Sequence, residues 1–286
     1  MRSAIGADVG GTKIRVARVS ADGAIEAEMT VATAATPAAV LAQIDAMIAS
    51  VDATHVAAIG VGVPGRVESA SGAVLSGGYV DLSGPPLGPR LATVGGRVFF
   101  ADNDANMALI GEARVGAARG LRHAVLLTIG TGIGGAVMTD GRIFRGRGTA
   151  GELGHITVNL DGAGCLCGRS GCLETASSGT ALQRLIAAAG LAPATTAADL
   201  VAREDPAAVA IIAAWARPLR AGIDSLVAVF DPQRVLLGGG LGAAAVAALA
   251  RFPAASRWYQ CEVAPAELGD RAGAIGAALA ALERAP

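Results

Sequence analysis

Neither sign of charge dominates this chain: 23 Lys and Arg face 24 Asp and Glu, for a net charge of −1. Without a basic excess there is no electrostatic footprint for nucleic acid or another polyanion. Long apolar runs are missing as well. The run at residues 207–215 is far shorter than the ~20 residues that span a bilayer, so no membrane partner is expected. Aromatic residues make up 3%, and alanine carries much of the 52% hydrophobic content. Met1 is followed almost at once by a strand-like segment, with no signal peptide and no basic amphipathic leader, which points to a soluble cytoplasmic protein. What is plentiful is glycine, forty residues, as tight turns around a small ligand demand or as an alanine- and glycine-rich bias would give. At 286 residues the chain has room for two domains with substantial cores.

Cysteine is scarce, yet three of the four fall within eight residues: Cys165, Cys167 and Cys172, with His155 ten positions before the first. Thiolates and imidazole suit Zn2+, and three cysteines with one histidine make a common closed tetrahedral site. Gly164, Gly168 and Gly171 let the backbone wrap tightly enough to aim three sulfurs at one point. A disulfide loop or three unrelated buried thiols are the competing readings. The odd local count and the absence of a secretory signal favour the metal. With His155 as fourth ligand no position stays open, so the ion would build structure and perform no hydrolysis. Glu152 and Glu174 bracket the loop. Ionised carboxylates accept several hydrogen bonds and suit polyol hydroxyls, although by themselves the two read as surface charge. Cys261 stands apart and reads as a small buried apolar residue.

Along the chain, an apolar run at 4–7 ends at Asp8 and enters Gly10-Gly11-Thr12-Lys13. An imperfect apolar face at Ile14, Val16 and Val19 follows, then Asp22-Gly23, the signature of a type I′ hairpin turn. The grammar recurs about 120 residues later. Residues 124–128 are apolar, Gly130 to Gly135 form the turn, 136–138 a strand, and Asp140-Gly141 the closing turn, which suggests a duplicated domain. Thr36-Pro37 opens a helix. Residues 56–63 and 98–101 read as strands, the second delivering Asp102 to Asn106, and 107–115 as a helix. Beyond the cysteines the pattern predicts helices at 175–189, 207–229 with a kink at Pro218, and 242–251. Strands are predicted at 235–237 and 258–263, and a final helix is capped by Asp270. Alternating strands and helices mean an α/β architecture with mostly parallel sheets. Ligands of such sheets sit at the carboxyl ends of strands, where Asp8, Gly65 and Asp104 fall.

Gly10-Gly11-Thr12-Lys13 has the backbone N–H groups, hydroxyl and ammonium of a phosphate cradle, but neither the Walker A spacing nor the following helix of a dinucleotide fingerprint. Taken with Gly130-Thr131-Gly132 and Gly238-Gly239-Gly240, it reads as part of a nucleotide site. These motifs, with Asn103-Asp104-Ala105-Asn106, Glu152-Leu153-Gly154-His155 and the Cys165 to Glu174 segment, resemble the ROK family in order and over nearly the whole chain. That family comprises bacterial sugar kinases, exemplified by glucokinases, and sugar-responsive repressors.

The resemblance implies an actin-like fold, a duplicated ribonuclease H-like α/β core in two lobes with a structural zinc loop, closing over sugar and ATP. The smaller lobe is expected at 1–105, completed by a C-terminal helix at 270–286, and the larger at 106–269. By motif, Asp104 is the catalytic base, and Gly65, Asn103, Asp104, Glu152, His155 and Glu174 surround the sugar. Asp8 helps place Mg2+, while Gly10, Gly11, Thr12, Lys13, Thr131, Gly132, Gly239 and Gly240 approach the nucleotide. His155, Cys165, Cys167 and Cys172 hold Zn2+. The implied reaction is ATP-dependent phosphorylation of a hexose at its 6-hydroxyl, by a homodimer or homotetramer. Family glucokinases carry an asparagine for a sugar hydroxyl in the loop that here reads Ser76-Gly77-Gly78-Tyr79-Val80-Asp81-Leu82, and a tryptophan where Leu173 stands. Gly65-Arg66 resembles the dipeptide of N-acetylmannosamine kinases. An N-acetylhexosamine kinase (for N-acetylmannosamine or N-acetylglucosamine) is therefore the alternative, and a non-catalytic sugar-binding ROK protein another. A repressor needs a helix-turn-helix before the first glycine turn, and only seven residues precede Asp8.

Overall fold

The computed structural model describes residues 2–78, 80–254 and 256–286, and the chain divides into two compact units. Unit 1 begins with strands β1 (Ser3–Val9), β2 (Lys13–Ser20) and β3 (Ile25–Ala32), then helix α1 (Pro37–Val51) and strand β4 (Val56–Val63). A small hairpin of β5 (Arg66–Glu68) and β6 (Ala73–Ser76) precedes β7 (Val98–Asn103) and α2 (Asp104–Val115). Unit 2 holds β8 (Ala124–Ile129), β9 (Ile133–Thr139), the start of β10 (Arg142–Ile143), α3 (Leu173–Ser177), α4 (Gly179–Ala188), α5 (Ala197–Val201), α6 (Pro206–Phe230), β11 (Arg234–Gly238), α7 (Gly242–Leu249) and β12 (Glu262–Pro265). Residues 143–150 pack with unit 1, and the last helix, α8 (Ala272–Leu282), returns there. Among the described residues no helix is long and apolar enough to cross a membrane.

The duplication shows in the topology. The sheets run β3-β2-β1-β4-β7 and β10-β9-β8-β11-β12. In each, the first strand pairs antiparallel with the second and parallel with a later strand, which in turn pairs parallel with the last. The inner parallel strands β4 and β11 are buried almost throughout and are correspondingly continuous in Val, Ile, Leu and small residues. The outer strand β3 has no fully buried residue, only half-buried and exposed positions.

The two hairpins close differently. Asp140 and Gly141 both have positive φ, 51° and 73°, the type I′ geometry expected there. At Asp22-Gly23 only the glycine is left-handed. The N–H of Gly23 donates to the Ser20 carbonyl, and the Asp22 carboxylate bonds the Ser20 hydroxyl. A type I turn followed by a left-handed glycine replaces the expected I′ turn.

Four other expectations are corrected. The helix expected at 175–189 is two, because Ser178 is extended and accepts from the Ala181 N–H as the cap of α4. Its carbonyl takes the indole N–H of buried Trp215 (3.1 Å), around which the core of unit 2 is packed. The last strand of unit 2 starts at Glu262, pairing parallel with β11, while Trp258 is 94% exposed. Asp270 lies in a 3-10 turn and pairs with Lys13; Arg271 occupies the cap position of α8. The glycine turn in unit 2 is also shorter than predicted, since Gly134 and Gly135 belong to β9.

Helix α8 is buried along nearly its whole length. It lies on β1, β4 and α2 because small residues meet at each crossing. A methyl group built on Gly6 would overlap the Ala274 carbonyl, one on Gly60 the Ala277 carbonyl, and one on Gly276 the Met107 carbonyl. Gly60→Ala and Gly276→Ala should each force backbone displacement, costing about 3 kcal/mol or more. Thermal melts of the two variants check this, and an unchanged melting temperature would refute the close packing.

Candidate functional site

In unit 1, β1, β4 and β7 end side by side, with Asp8 opposite Gly62 and Gly62 opposite Asp102. Asn103 is the cap of α2: its side-chain oxygen accepts from the N–H groups of Ala105 (2.9 Å) and Asn106 (3.2 Å). Its amide donates to the Gly65 carbonyl at 3.1 Å. Gly65 is left-handed (φ +91°), and a side chain there would overlap the Ser76 carbonyl, so only glycine fits. Asp104 therefore opens the helix rather than capping it, half-buried, with Oδ1 2.9 Å from the Ala105 N–H.

The Gly10 turn closes through the Gly10 N–H to the Lys13 carbonyl (3.0 Å) and the Thr33 hydroxyl to the Gly10 carbonyl (2.7 Å). Gly11, Thr12 and Lys13 are exposed. Lys13 is engaged by Asp270. In sequence Asp270 reads as a helix cap, so this ion pair across 257 positions was not legible.

Asp8 connects these groups. Burial, reinforced by the negative charges of Asp104 and Asp270, pushes its carboxyl up to about 7 against the pull of Arg15 and Lys13. Between the ordinary carboxylate value of about 4 and that value, the folded chain holds a proton that the unfolded chain has lost. Stability from this group therefore falls as pH rises through that window, by at most about 4 kcal/mol. The variant Asp8→Asn should flatten the dependence of melting temperature on pH between about 4 and 7. An unchanged slope would place the titrating group elsewhere. Gly273 lies against the Asp8 carboxylate, within 2.5 Å of where its Cβ would be, leaving no room for a side chain.

In unit 2 the two remaining glycine turns lie together at the carboxyl ends of the paired strands β8 and β11. The Leu241 N–H donates to the Ile129 carbonyl (3.0 Å), and a side chain on left-handed Gly239 would clash with Ile129 backbone. Gly130 accepts from Gly179, and the Thr131 carbonyl accepts from the Thr180 hydroxyl (2.8 Å). Thr131, Gly239 and Gly240 are exposed and Gly132 half-buried, so both turns are open to a ligand.

The cysteine loop meets the same turn. One Glu174 oxygen accepts the Ile133 N–H at 2.9 Å, which ties α3 to the start of β9. Glu152, just before a short 3-10 turn, is exposed. His155, Cys165, Cys167 and Cys172 bring their ligand atoms within 4.8 Å of one another. Cys165 Sγ is 3.5 Å from His155 Nδ1, and Cys167 Sγ is 3.6 Å from Cys172 Sγ. A tetrahedral ion with bonds of about 2.3 Å to sulfur separates its ligands by about 3.8 Å, so the donor set fits Zn2+. The four cysteines are free thiols, so the disulfide reading is set aside. The Arg169 N–H pulls the Cys167 thiol down to about 6, whereas burial pushes Cys172 up to about 12. Cys261 is half-buried, its thiol donating to the Pro232 carbonyl.

Sequence profiles and known structures agree on the family. The ROK family profile matches residues 4–284. A glucokinase of Streptomyces coelicolor is 32% identical over 314 residues, covering 99% of this chain and 98% of its own. The N-acetylmannosamine kinase of Citrobacter koseri is 32% identical over 292 residues, 98% of each chain. A ROK glucokinase of Streptomyces griseus, solved in complex with glucose and AMPPNP, superposes with a TM-score of 0.84 at 32% identity over 98% of this chain and 99% of that one. With the family motifs in order and both sheets repeating one topology, the chain belongs to the ROK family and has its actin-like, two-lobed α/β fold.

Proposed function

We propose that this chain is an ATP-dependent sugar kinase that phosphorylates a hexose at its 6-hydroxyl, with Asp104 as general base. The observation that carries the reading is the carboxylate of Asp104 at the head of α2, beside a cap residue anchored to Gly65 and within electrostatic reach of Asp8. A sugar hydroxyl is a poor nucleophile. Asp104 accepts its proton as the oxygen bonds to the γ-phosphorus and the bond to ADP breaks. Asp8 would hold Mg2+, whose charge offsets that of the transferring phosphoryl group when bound. The exposed turn residues Gly11, Thr12, Lys13, Thr131, Gly239 and Gly240 offer donors to phosphate oxygens. Glu152, Glu174 and His155 offer acceptors and a ring nitrogen to sugar hydroxyls. Nδ1 of His155 faces Cys165, so Nε2 is the atom left for the sugar. Zn2+ would sit among the four loop ligands and hold these groups in place.

N-acetylhexosamine phosphorylation is the second reading, supported by the N-acetylmannosamine kinase relative and the loop 76–82 without asparagine. Of that loop, Tyr79 lies outside the described residues. Asp81 spends one oxygen on the Ser83 N–H (3.0 Å). Losing one hydroxyl partner changes discrimination by orders of magnitude, so a substrate panel decides. Release of ADP is measured with glucose, mannose, N-acetylmannosamine and N-acetylglucosamine. Turnover with a hexose supports the first reading, and turnover confined to an N-acetylated sugar the second. Silence across the panel would leave a sugar-binding protein without catalysis.

A further inference from the structure

Asp102, two residues before the proposed base, is buried, 1% exposed. Its Oδ1 accepts from the Asn103 N–H (2.8 Å) and the Asn106 side-chain amide (3.0 Å), and its Oδ2 from Nε of Arg145 (2.7 Å). Arg145 belongs to 143–150, which packs with unit 1 although the residues on either side of it belong to unit 2. Within that segment Arg145 is the hub. Its carbonyl accepts from the N–H groups of Gly148 (2.8 Å) and Ala150 (3.4 Å), its Nη1 reaches the Ile143 carbonyl, and its guanidinium lies 6.0 Å from the Phe100 ring centre. Arg284 stacks 3.5 Å over the same ring. The segment runs on directly into Gly151 and Glu152.

We propose that Arg145, acting through the Asp102 carboxylate, is a positioning residue for Asp104, and that the pair pins segment 143–150 to the first turn of α2. The inference rests on Asp104 being the base. Asp102 bonds the backbone of the cap residue and the side chain of Asn106 from the same carboxylate that holds Arg145. Stripped of the guanidinium bonded to it, a buried carboxylate loses a hydrogen-bond partner and is strongly penalised. Its hold on the head of α2 then weakens, and so does the aim of Asp104. A displacement on the order of 1 Å at a reacting group costs up to about a hundredfold in rate.

The test uses the full chain carrying Arg145→Gln, Arg145→Lys or Arg145→Ala. Arg145→Gln is expected to lower kcat by about ten- to a hundredfold while KM for ATP stays within about twofold. Arg145→Lys keeps the charge without the planar fork and should recover part of the loss. Methylguanidinium added to Arg145→Ala should restore turnover in part, which a loss of general stability would not allow. Amide hydrogen exchange at Ala105 and Asn106, the two groups that Asn103 caps, should speed up in Arg145→Gln. A kcat within about twofold of the parent in Arg145→Gln, or unchanged exchange at those amides, overturns the positioning role. The exchange measurement needs no activity. A parent chain that turns over no sugar sinks the kinase reading alone. If Arg145→Gln does not fold, the Lys variant and the guanidinium rescue give the answer, and failure of both overturns the role.

Discussion

Asp104→Asn should abolish sugar-dependent ADP release, a loss of about a hundred- to ten-thousandfold, while leaving fold and metal content intact. Asparagine keeps the shape of the side chain but cannot accept the proton from an attacking hydroxyl. The helix tolerates the change because Asn103, not Asp104, caps α2. A second readout follows from the coupling to Asp8. Removing the Asp104 charge removes one of the causes that raise the Asp8 carboxyl, so the midpoint of its stability profile should move down from about 7. The measurements are coupled ADP release, circular dichroism melts across pH, and zinc by mass spectrometry. Turnover retained at parental levels would falsify the base assignment.

Cys172→Ala should remove the zinc and with it sugar affinity. Cys172 is the fully buried member of the four, and its backbone forms the bridge to Thr157 that closes the loop. The loop has little apolar material of its own: Leu160 is 88% exposed and Leu166 97%. A Zn2+ ion held by the four ligands would therefore supply the loop's folding energy, as metal binding worth about 10–16 kcal/mol does in small zinc domains. Without it, Glu152, His155 and the start of α3 lose their support. Sugar Kd is expected to rise by at least about tenfold, while the hydrophobic core around Trp215 keeps unit 2 folded. Isothermal titration with the sugar found in the panel, alongside zinc analysis, decides. Parental affinity in a zinc-free variant would mean that the loop does not support the sugar-binding groups.

Much of this was legible in the sequence because the signals were local. The Thr36-Pro37 start, the buried run of β4 and the cysteine spacing each depend on neighbours within one element or loop, and each stands where expected. The duplicated turn grammar correctly anticipated two sheets of one topology. What failed was decided at a distance. Ser178 breaks a helix because Trp215, 37 positions on, takes its carbonyl. Asp270 leaves the cap because Lys13 claims it. Asp22-Gly23 forgoes the I′ turn because the Ser20 hydroxyl engages the Asp22 carboxylate. In the proposed site, residue types and order pointed to Asp104, which the structure puts at the head of α2, and to the four-residue His and Cys cluster. Nothing in the spacing joined Arg145 to Asp102, because their contact depends on a segment crossing back into unit 1.

The burial of α8 carries a consequence for biogenesis. Gly6 and Gly60 open a groove in the first sheet that α8 fills, so that sheet leaves the ribosome before the helix that covers this face. Residues 121–142 and 151–269 can already collapse around Trp215 while the earlier strands wait for residues 272–282 to be released. Domains ordinarily mature in order of synthesis; here the first sheet to be made is expected to be the last to become protease-resistant, and a nascent chain stalled before residue 272 should engage chaperones through β1 and β4.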